Sequence, residues 1–169
     1  SCFQTVATTK IVATIEFMSN ATAKPQGCTN FKLRQLARRV SQLYDAELAK
    51  AGLKTTQYSL LSHVLRLGPI RPGDLAQAMT LDASTLTRNL KPMVDAGWLA
   101  LSAGDDARSR LVHITDAGRV KRAEAQRHWK AAQESLNQLL GIDAVRSLHA
   151  LVDDSLQRLA PQHAEDDDE

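Results

Sequence analysis

The chain has 169 residues, enough for one domain with its own hydrophobic core. Only 4% of them are aromatic, which favours helix over sheet. The net charge is +2, but the last five residues are all acidic, and the rest of the chain carries 21 basic against 14 acidic residues, a net charge of +7. This moderately basic balance suits a polyanionic partner.

Several classes of protein are disfavoured by what the sequence lacks. Two cysteines, Cys2 and Cys28, are too few for a disulfide framework, which favours a cytoplasmic location. No apolar run approaches the roughly 18 residues that a membrane helix needs, so no membrane partner is expected. The five histidines lack the spacing of metal ligands. Without a glycine-rich phosphate loop or a nucleophile paired with a base, neither a cofactor nor an enzymatic activity is expected.

The first helix is predicted to begin at Thr29, after a threonine-rich segment of low charge. That segment, residues 1–28, is interpreted as an appendage, either flexible or an extra arm. The helix that follows places its aliphatic residues on one stripe and ends before Gly52. The stripe consists of Leu33, Leu36, Val40, Leu43 and Leu48.

Two shorter helices are predicted next. Thr55 or Thr56 is expected to cap the first of them, which runs to Leu67. Pro72 suits the first position of the second, which extends to about Met79.

Asp82 is a good N-cap for a further helix that ends at Gly97. The short break before it predicts a helix-turn-helix. In such a motif this second helix is the recognition helix, called the reader helix below, which contacts the DNA bases. Pro92 removes one backbone amide from the helix, so a kink or a loosened turn is expected there. Apolar runs at 98–101 and 111–114 then predict two strands joined by a turn rich in Gly, Asp and Arg.

Two long helices complete the predicted elements. The first starts at 116 and reaches about Leu140, and the second runs from 143 to 159 with an apolar stripe at three- and four-residue spacing. Residues 161–169 are predicted to be a disordered acidic tail.

Polar and basic side chains concentrate on the reader helix and on the turn between the strands. This pattern favours a helix for a major groove beside a ribbon for a minor groove. The candidate DNA-binding residues are Ser84, Thr85, Thr87, Arg88 and Lys91 on the helix, and Asp106, Arg108 and Arg110 on the ribbon.

The order of these parts resembles the MarR family of bacterial transcription regulators over roughly residues 29–160. The most specific segment is DDARSR at 105–110 followed by HITDAG at 113–118, which looks like the family's wing signature. Leu75-Ala76 and DAGWL at 95–99 also match the family pattern.

The resemblance implies a mainly α fold with a small antiparallel β-wing. The winged helix-turn-helix would span 55–115, between dimerisation helices at 29–51 and 116–160. The protein would be a homodimeric repressor of a palindromic operator in double-stranded DNA, released by a small aromatic or anionic effector. By position, Arg108 would enter the minor groove while Asp106 holds its turn. Pro92 departs from the family pattern, in which proline is less usual in this helix, so the resemblance does not define the docking angle.

The sequence leaves two alternatives for the signal to which the protein would respond, a small ligand or an oxidant. A ligand pocket between the dimer helices and the DNA-binding part would be lined by Tyr44, Tyr58, His63 and Trp129. Alternatively, Cys28 would sense an oxidant, because a helix N-terminus lowers a thiol pKa. A further alternative is a winged helix used for protein contacts.

Overall fold

A computed structural model describes residues 24–104 and 110–160 of the chain. It confirms the predicted fold class, with helices dominating and one two-stranded antiparallel sheet. In chain order the elements are α1 (Thr29–Leu48), a 3₁₀ turn (Ala49–Ala51), α2 (Thr55–Leu67), α3 (Pro72–Ala78), α4 (Ala83–Asp95), β1 (Leu99–Ala103), β2 (Arg110–Ile114), α5 (Asp116–Leu140) and α6 (Ile142–Arg158).

The chain divides into two units, Ser1–Ala37 and Arg38–Glu169. The described part of the first unit holds the first turns of α1, where the apolar side chains Phe31, Leu33 and Leu36 are exposed. Most of the predicted appendage at 1–28 and all of the predicted acidic tail lie outside the described residues. No helix in the two described ranges is long and apolar enough to cross a membrane.

The core of the second unit lies where α2, α4 and the sheet meet, and α2 also packs on α5. Its centre is aliphatic, because helix stripes and one face of the sheet close against each other. The residues of this core that expose 1% or less of their surface are Leu48, Leu60, Leu61, Val64, Leu75, Leu86, Met93, Leu99, Val112, Ala125 and Ala132.

The start of α2 is held by a carboxylate from α1. The backbone amide and the hydroxyl of Thr55 both donate to Asp45 Oδ1, at 2.7 and 2.6 Å. The prediction that Thr55 or Thr56 caps this helix is therefore wrong. Lys54 occupies the N-cap position, and Asp45 supplies the acceptor that a capping side chain would have supplied.

The helix-turn-helix consists of α3, the turn 79–82 and α4. Thr80 in the turn has a left-handed backbone, with φ of 52°, and the amide of Leu81 donates back to the Ala76 carbonyl at 2.9 Å. The left-handed residue and this hydrogen bond end α3 and redirect the chain into α4 within a few residues. α4 continues through Pro92, and the amide of Ala96 bonds the Pro92 carbonyl at 3.0 Å. The bend expected at Pro92 stays a prediction.

The wing strands pair in antiparallel register from Leu99 opposite Ile114 to Ala103 opposite Arg110. Ile70, between α2 and α3, adds a single bridge to Val112, with N···O distances of 3.1 and 2.8 Å. The middle of β2 is thus joined to the segment that leads from α2 into α3.

The start of α5 is tied to the end of the reader helix. The Thr115 hydroxyl accepts from the Gly118 amide at 3.0 Å and donates to the Gly97 carbonyl at 2.7 Å. Gly118 is buried, and a Cβ there would overlap the Trp98 carbonyl oxygen and lie 2.8 Å from Ile114 Cγ1. Only a residue without a side chain allows α5 to pack this closely.

Candidate nucleic-acid interface

The reader helix α4 is amphipathic, with a polar stripe facing solvent and an apolar stripe facing the core. Leu86, Leu90 and Met93 are buried at four- and three-residue spacing. The exposed stripe follows the same spacing on the opposite side and consists of Ser84, Thr87, Arg88 and Lys91.

Asp82 organises the start of this stripe. As the N-cap of α4 it accepts from the Thr85 amide at 2.7 Å and from the Ser84 hydroxyl at 2.6 Å through Oδ1. Its Oδ2 accepts from the Thr85 hydroxyl at 2.7 Å. The Ser84 hydroxyl bond, followed by the two Thr85 bonds, holds the pKa of the Asp82 carboxyl far below its usual range. The cap is therefore ionised throughout the neutral range.

Arg88 lies along the helix towards that cap. Its Nε donates to the Ser84 carbonyl at 3.3 Å and its Nη2 donates to Thr85 Oγ1 at 3.2 Å. The side chain is exposed, and three of its five N–H groups make no bond within the described residues. A guanidinium held in this way keeps a planar edge available for bidentate recognition.

The C-terminal half of the stripe forms one wall of a groove between α4 and the wing. Lys91 Nζ pairs with Asp95 at 2.8 Å, an exposed pair that contributes little to stability. The groove has a volume of about 280 Å³ and brings Arg110 of the wing to the reader helix. Its lining residues are Pro72, Thr87, Leu90, Lys91, Val94, Asp95, Leu101 and Arg110.

Six of the eight candidate DNA-binding residues are therefore described. Five lie on α4, and Arg110 is the first residue of β2, paired with Ala103 at the end of the sheet away from α5. Asp106 and Arg108 lie outside the described residues. Asp82 and Asp95 were not among the candidates, although they bond three of them. Their spacing from Ser84, Thr85 and Lys91 along a helix was the signal available in the sequence.

Three of the four residues proposed for a ligand pocket pack together where α1, α2 and α5 meet. The Trp129 ring lies 6.3 Å from that of Tyr44 and 6.2 Å from that of Tyr58, nearly parallel to the latter. Both tyrosines are buried, and the Tyr44 hydroxyl donates to Gln133 Oε1 at 2.5 Å. Burial raises the pKa of Tyr44, which keeps it a donor.

The fourth, His63, bonds the Ser59 carbonyl within its own helix at 2.8 Å. A ligand pocket lined by these four residues stays a prediction.

Cys28, just before α1, is a free and exposed thiol, and its proposed redox role stays a prediction. Across 24–104 and 110–160, no group of three or more His, Cys, Asp or Glu side chains is arranged to hold a metal ion.

Comparison with known proteins gives consistent matches. A family model described as the MarR family matches residues 51–109. YwoH, an uncharacterised HTH-type transcriptional regulator of Bacillus subtilis (strain 168), is 28% identical over 93 residues, which cover 55% of this chain and 68% of YwoH.

Two solved structures are similar over most of the chain. The M. tuberculosis transcriptional regulator MosR, crystallised with DNA, is 28% identical with a TM-score of 0.66, over 79% of this chain and 99% of that one. A probable transcriptional regulator from Pseudomonas aeruginosa is 25% identical with a TM-score of 0.68, over 73% and 93% of the two chains.

Proposed function

Since the chain belongs to the MarR family of transcription regulators, we propose that it binds double-stranded DNA sequence-specifically. The observation that carries this proposal is the exposed stripe of α4 with two cations, Arg88 and Lys91, joined across the groove by Arg110. The similarity to MosR, which was crystallised with DNA, supports the same function.

In the proposed complex α4 lies in the major groove. Arg88 makes a bidentate contact to guanine O6 and N7, and Lys91 leaves its exposed pair with Asp95 to contact a phosphate. Arg110 adds a phosphate contact from the wing. By the family resemblance, Arg108 enters the minor groove, and Asp106 holds the turn that carries Arg108. A narrow minor groove at A·T base pairs attracts arginine.

The protein is further proposed to act as a homodimer on a palindrome. Each unit has large apolar side chains that are exposed among the described residues, and a dimer would bury such side chains. On α1 these are Phe31, Leu33 and Leu36, and on α6 they are Ile142, Leu151, Val152, Leu156 and Leu159.

We propose repression in the cytoplasm, relieved by a small aromatic or anionic effector. The effector would act where Tyr44, Tyr58 and Trp129 meet, near His63, because these residues join the predicted dimer helices to the DNA-binding part. An oxidant acting on the exposed Cys28 is the second candidate. Peroxide that releases the wild type but not a Cys28→Ser variant from DNA would favour the oxidant.

Enrichment of bound duplexes from a random library tests the proposal. We expect an inverted repeat whose half-sites lie about 10 base pairs apart, as a two-fold dimer requires. Affinity for it should fall steeply with salt, because phosphate contacts release counterions. No enrichment, or an affinity that is flat with salt, would favour the alternative of a winged helix used for protein contacts.

A further inference from the structure

The two hydroxyl groups of the exposed stripe of α4, those of Ser84 and Thr87, already donate their protons in hydrogen bonds within the protein. Ser84 Oγ lies 2.6 Å from Asp82 Oδ1, and Thr87 Oγ1 lies 2.8 Å from the Ala83 carbonyl oxygen. A carboxylate and a carbonyl can only accept, so in each bond the proton comes from the hydroxyl. Each hydroxyl has one proton, and neither has a second to give.

The Asp82 carboxylate cannot reverse its bond with Ser84. It accepts two further bonds from the amide and the hydroxyl of Thr85, and it carries a strongly lowered pKa. The Ala83 carbonyl carries no proton at any pH.

What Ser84 and Thr87 offer to an incoming molecule is therefore the lone pairs of their oxygens. Both residues are exposed and lie three apart, on one face of the helix. Thr85 differs, because it is half-buried, donates to Asp82 and accepts from Arg88. We assign it as a positioning residue for the arginine.

Phosphate oxygens are acceptors, and a phosphate contact would require each hydroxyl to break its internal bond. The major groove also contains donors, the N6 amino group of adenine and the N4 amino group of cytosine. Guanine and thymine offer only acceptors at the equivalent positions. The amino groups match the free lone pairs without breaking any bond in α4.

We propose that Ser84 and Thr87 accept hydrogen bonds from exocyclic amino groups and so select adenine or cytosine beside the guanine contacted by Arg88. This inference rests on the proposed DNA-binding function and specifies which bases the reader helix selects. The stripe would present acceptors at Ser84 and Thr87 and donors at Arg88 and Lys91.

The test removes single amino groups from the enriched operator. In one half-site, each adenine is replaced in turn by purine, and each cytosine by 2-pyrimidinone. Binding of the full-length wild type is compared with that of Ser84→Ala and Thr87→Val. We expect a position at which amino removal weakens the wild type about 3- to 10-fold, the effect of one hydrogen bond. The same removal should leave the matching variant unchanged.

Two controls separate this effect from general loss of structure. Thr87→Ser keeps the hydroxyl and should retain the sensitivity to amino removal. Thr56→Val removes an exposed hydroxyl from α2, outside the reader helix, and should leave the wild-type pattern intact. Thermal melting of each variant establishes that it is folded.

The proposal is overturned if amino removal affects the wild type and both variants equally. It is also overturned if Ser84→Ala and Thr87→Val weaken operator and scrambled duplex alike and reduce the salt slope, which is the signature of phosphate contacts. If the wild type binds no duplex even at low salt, the proposed function fails first, and this inference fails with it.

Discussion

Asp82 caps α4 and also bonds residues of the proposed DNA-binding surface. Its carboxylate closes the N-terminus of α4 and, through Thr85, fixes the position of the Arg88 guanidinium. A neutral cap would satisfy the helix equally well. An ionised carboxylate additionally orients the hydroxyls of Ser84 and Thr85. It can only accept, so both hydroxyls must donate to it.

Acid should remove the contribution of this cap. The pKa of Asp82 is lower in the folded protein than in the unfolded chain, so folding favours the ionised form. The stabilisation is complete above the ordinary carboxyl pKa of about 4 and is lost as the pH falls through the lower folded value. Comparing the melting temperatures of wild type and Asp82→Asn from pH 7 to pH 2 checks this. The two should converge in acid, and a constant gap would contradict the account.

The wing arginine should matter to DNA binding and to nothing else. We predict that Arg108→Ala weakens operator binding roughly 5- to 100-fold, the loss expected for one base-edge contact of about 1–3 kcal/mol. The control is Arg119→Ala, which removes the same charge from an exposed position on α5. Mobility-shift titration is the measurement, and equal affinities for the two variants would exclude Arg108 from the interface.

The polar stripe of α4 could be predicted from the sequence because its residues lie on consecutive turns of one helix. The sequence alone could not show the direction of each hydrogen bond, which depends on the rotamer of each hydroxyl. It also did not reveal Asp45 as the partner of Thr55, because the two meet only when α1 folds back on α2. Local signals reveal caps within a helix but not caps supplied by another one.

At the scale of elements, the junction of wing and α5 depends on one small residue. Thr115 links the end of α4 to the start of α5, and Gly118 lets the new helix touch the Trp98 backbone. The sequence signature at 113–118 thus has a packing explanation as well as a family one.

Gly118→Ala should therefore destabilise the fold by about 1–3 kcal/mol, the usual cost of overpacking. Gly73→Ala in α3 is the matched control, because a Cβ there meets no atom of the described residues within 4 Å. That substitution should be neutral or stabilise by about 0.4–1 kcal/mol, since it restricts the unfolded chain. Urea unfolding of both variants measures these changes in stability. Equal unfolding midpoints for Gly118→Ala and Gly73→Ala would contradict the packing explanation.

The helix and strand positions followed from periodicity and from punctuating residues such as Pro72 and Asp82, and the structure agrees within a few residues. The bridge from Ile70 to the wing was not predicted. A single paired residue carries no alternation, so nothing in the sequence distinguishes it from a loop.

For the whole molecule, the question is what covers the apolar face of α6. Leu151 and Leu156 each expose more than 60% of their surface, at 64% and 65%. Isolated apolar residues are common on surfaces, but a helix that repeats them is typical of an interface.

We predict that Leu156→Glu raises the dimer dissociation constant roughly 30-fold or more, the effect of losing a central contact of about 2 kcal/mol. Gln157→Glu adds the same charge on another face of α6 and should leave the dimer intact. Sedimentation velocity across a concentration series measures both. A wild type that sediments as a monomer at all concentrations would refute the dimer.

The central claim is that α4 reads base sequence through Arg88. Its most direct test is the affinity of wild type and Arg88→Ala for the enriched operator and for a scrambled duplex at one salt concentration. We predict that wild type prefers the operator by about 1,000-fold or more. Arg88→Ala should lose about 5- to 100-fold per half-site on the operator, with little change on the scrambled duplex. Equal losses on the two duplexes, or none on either, would contradict the account.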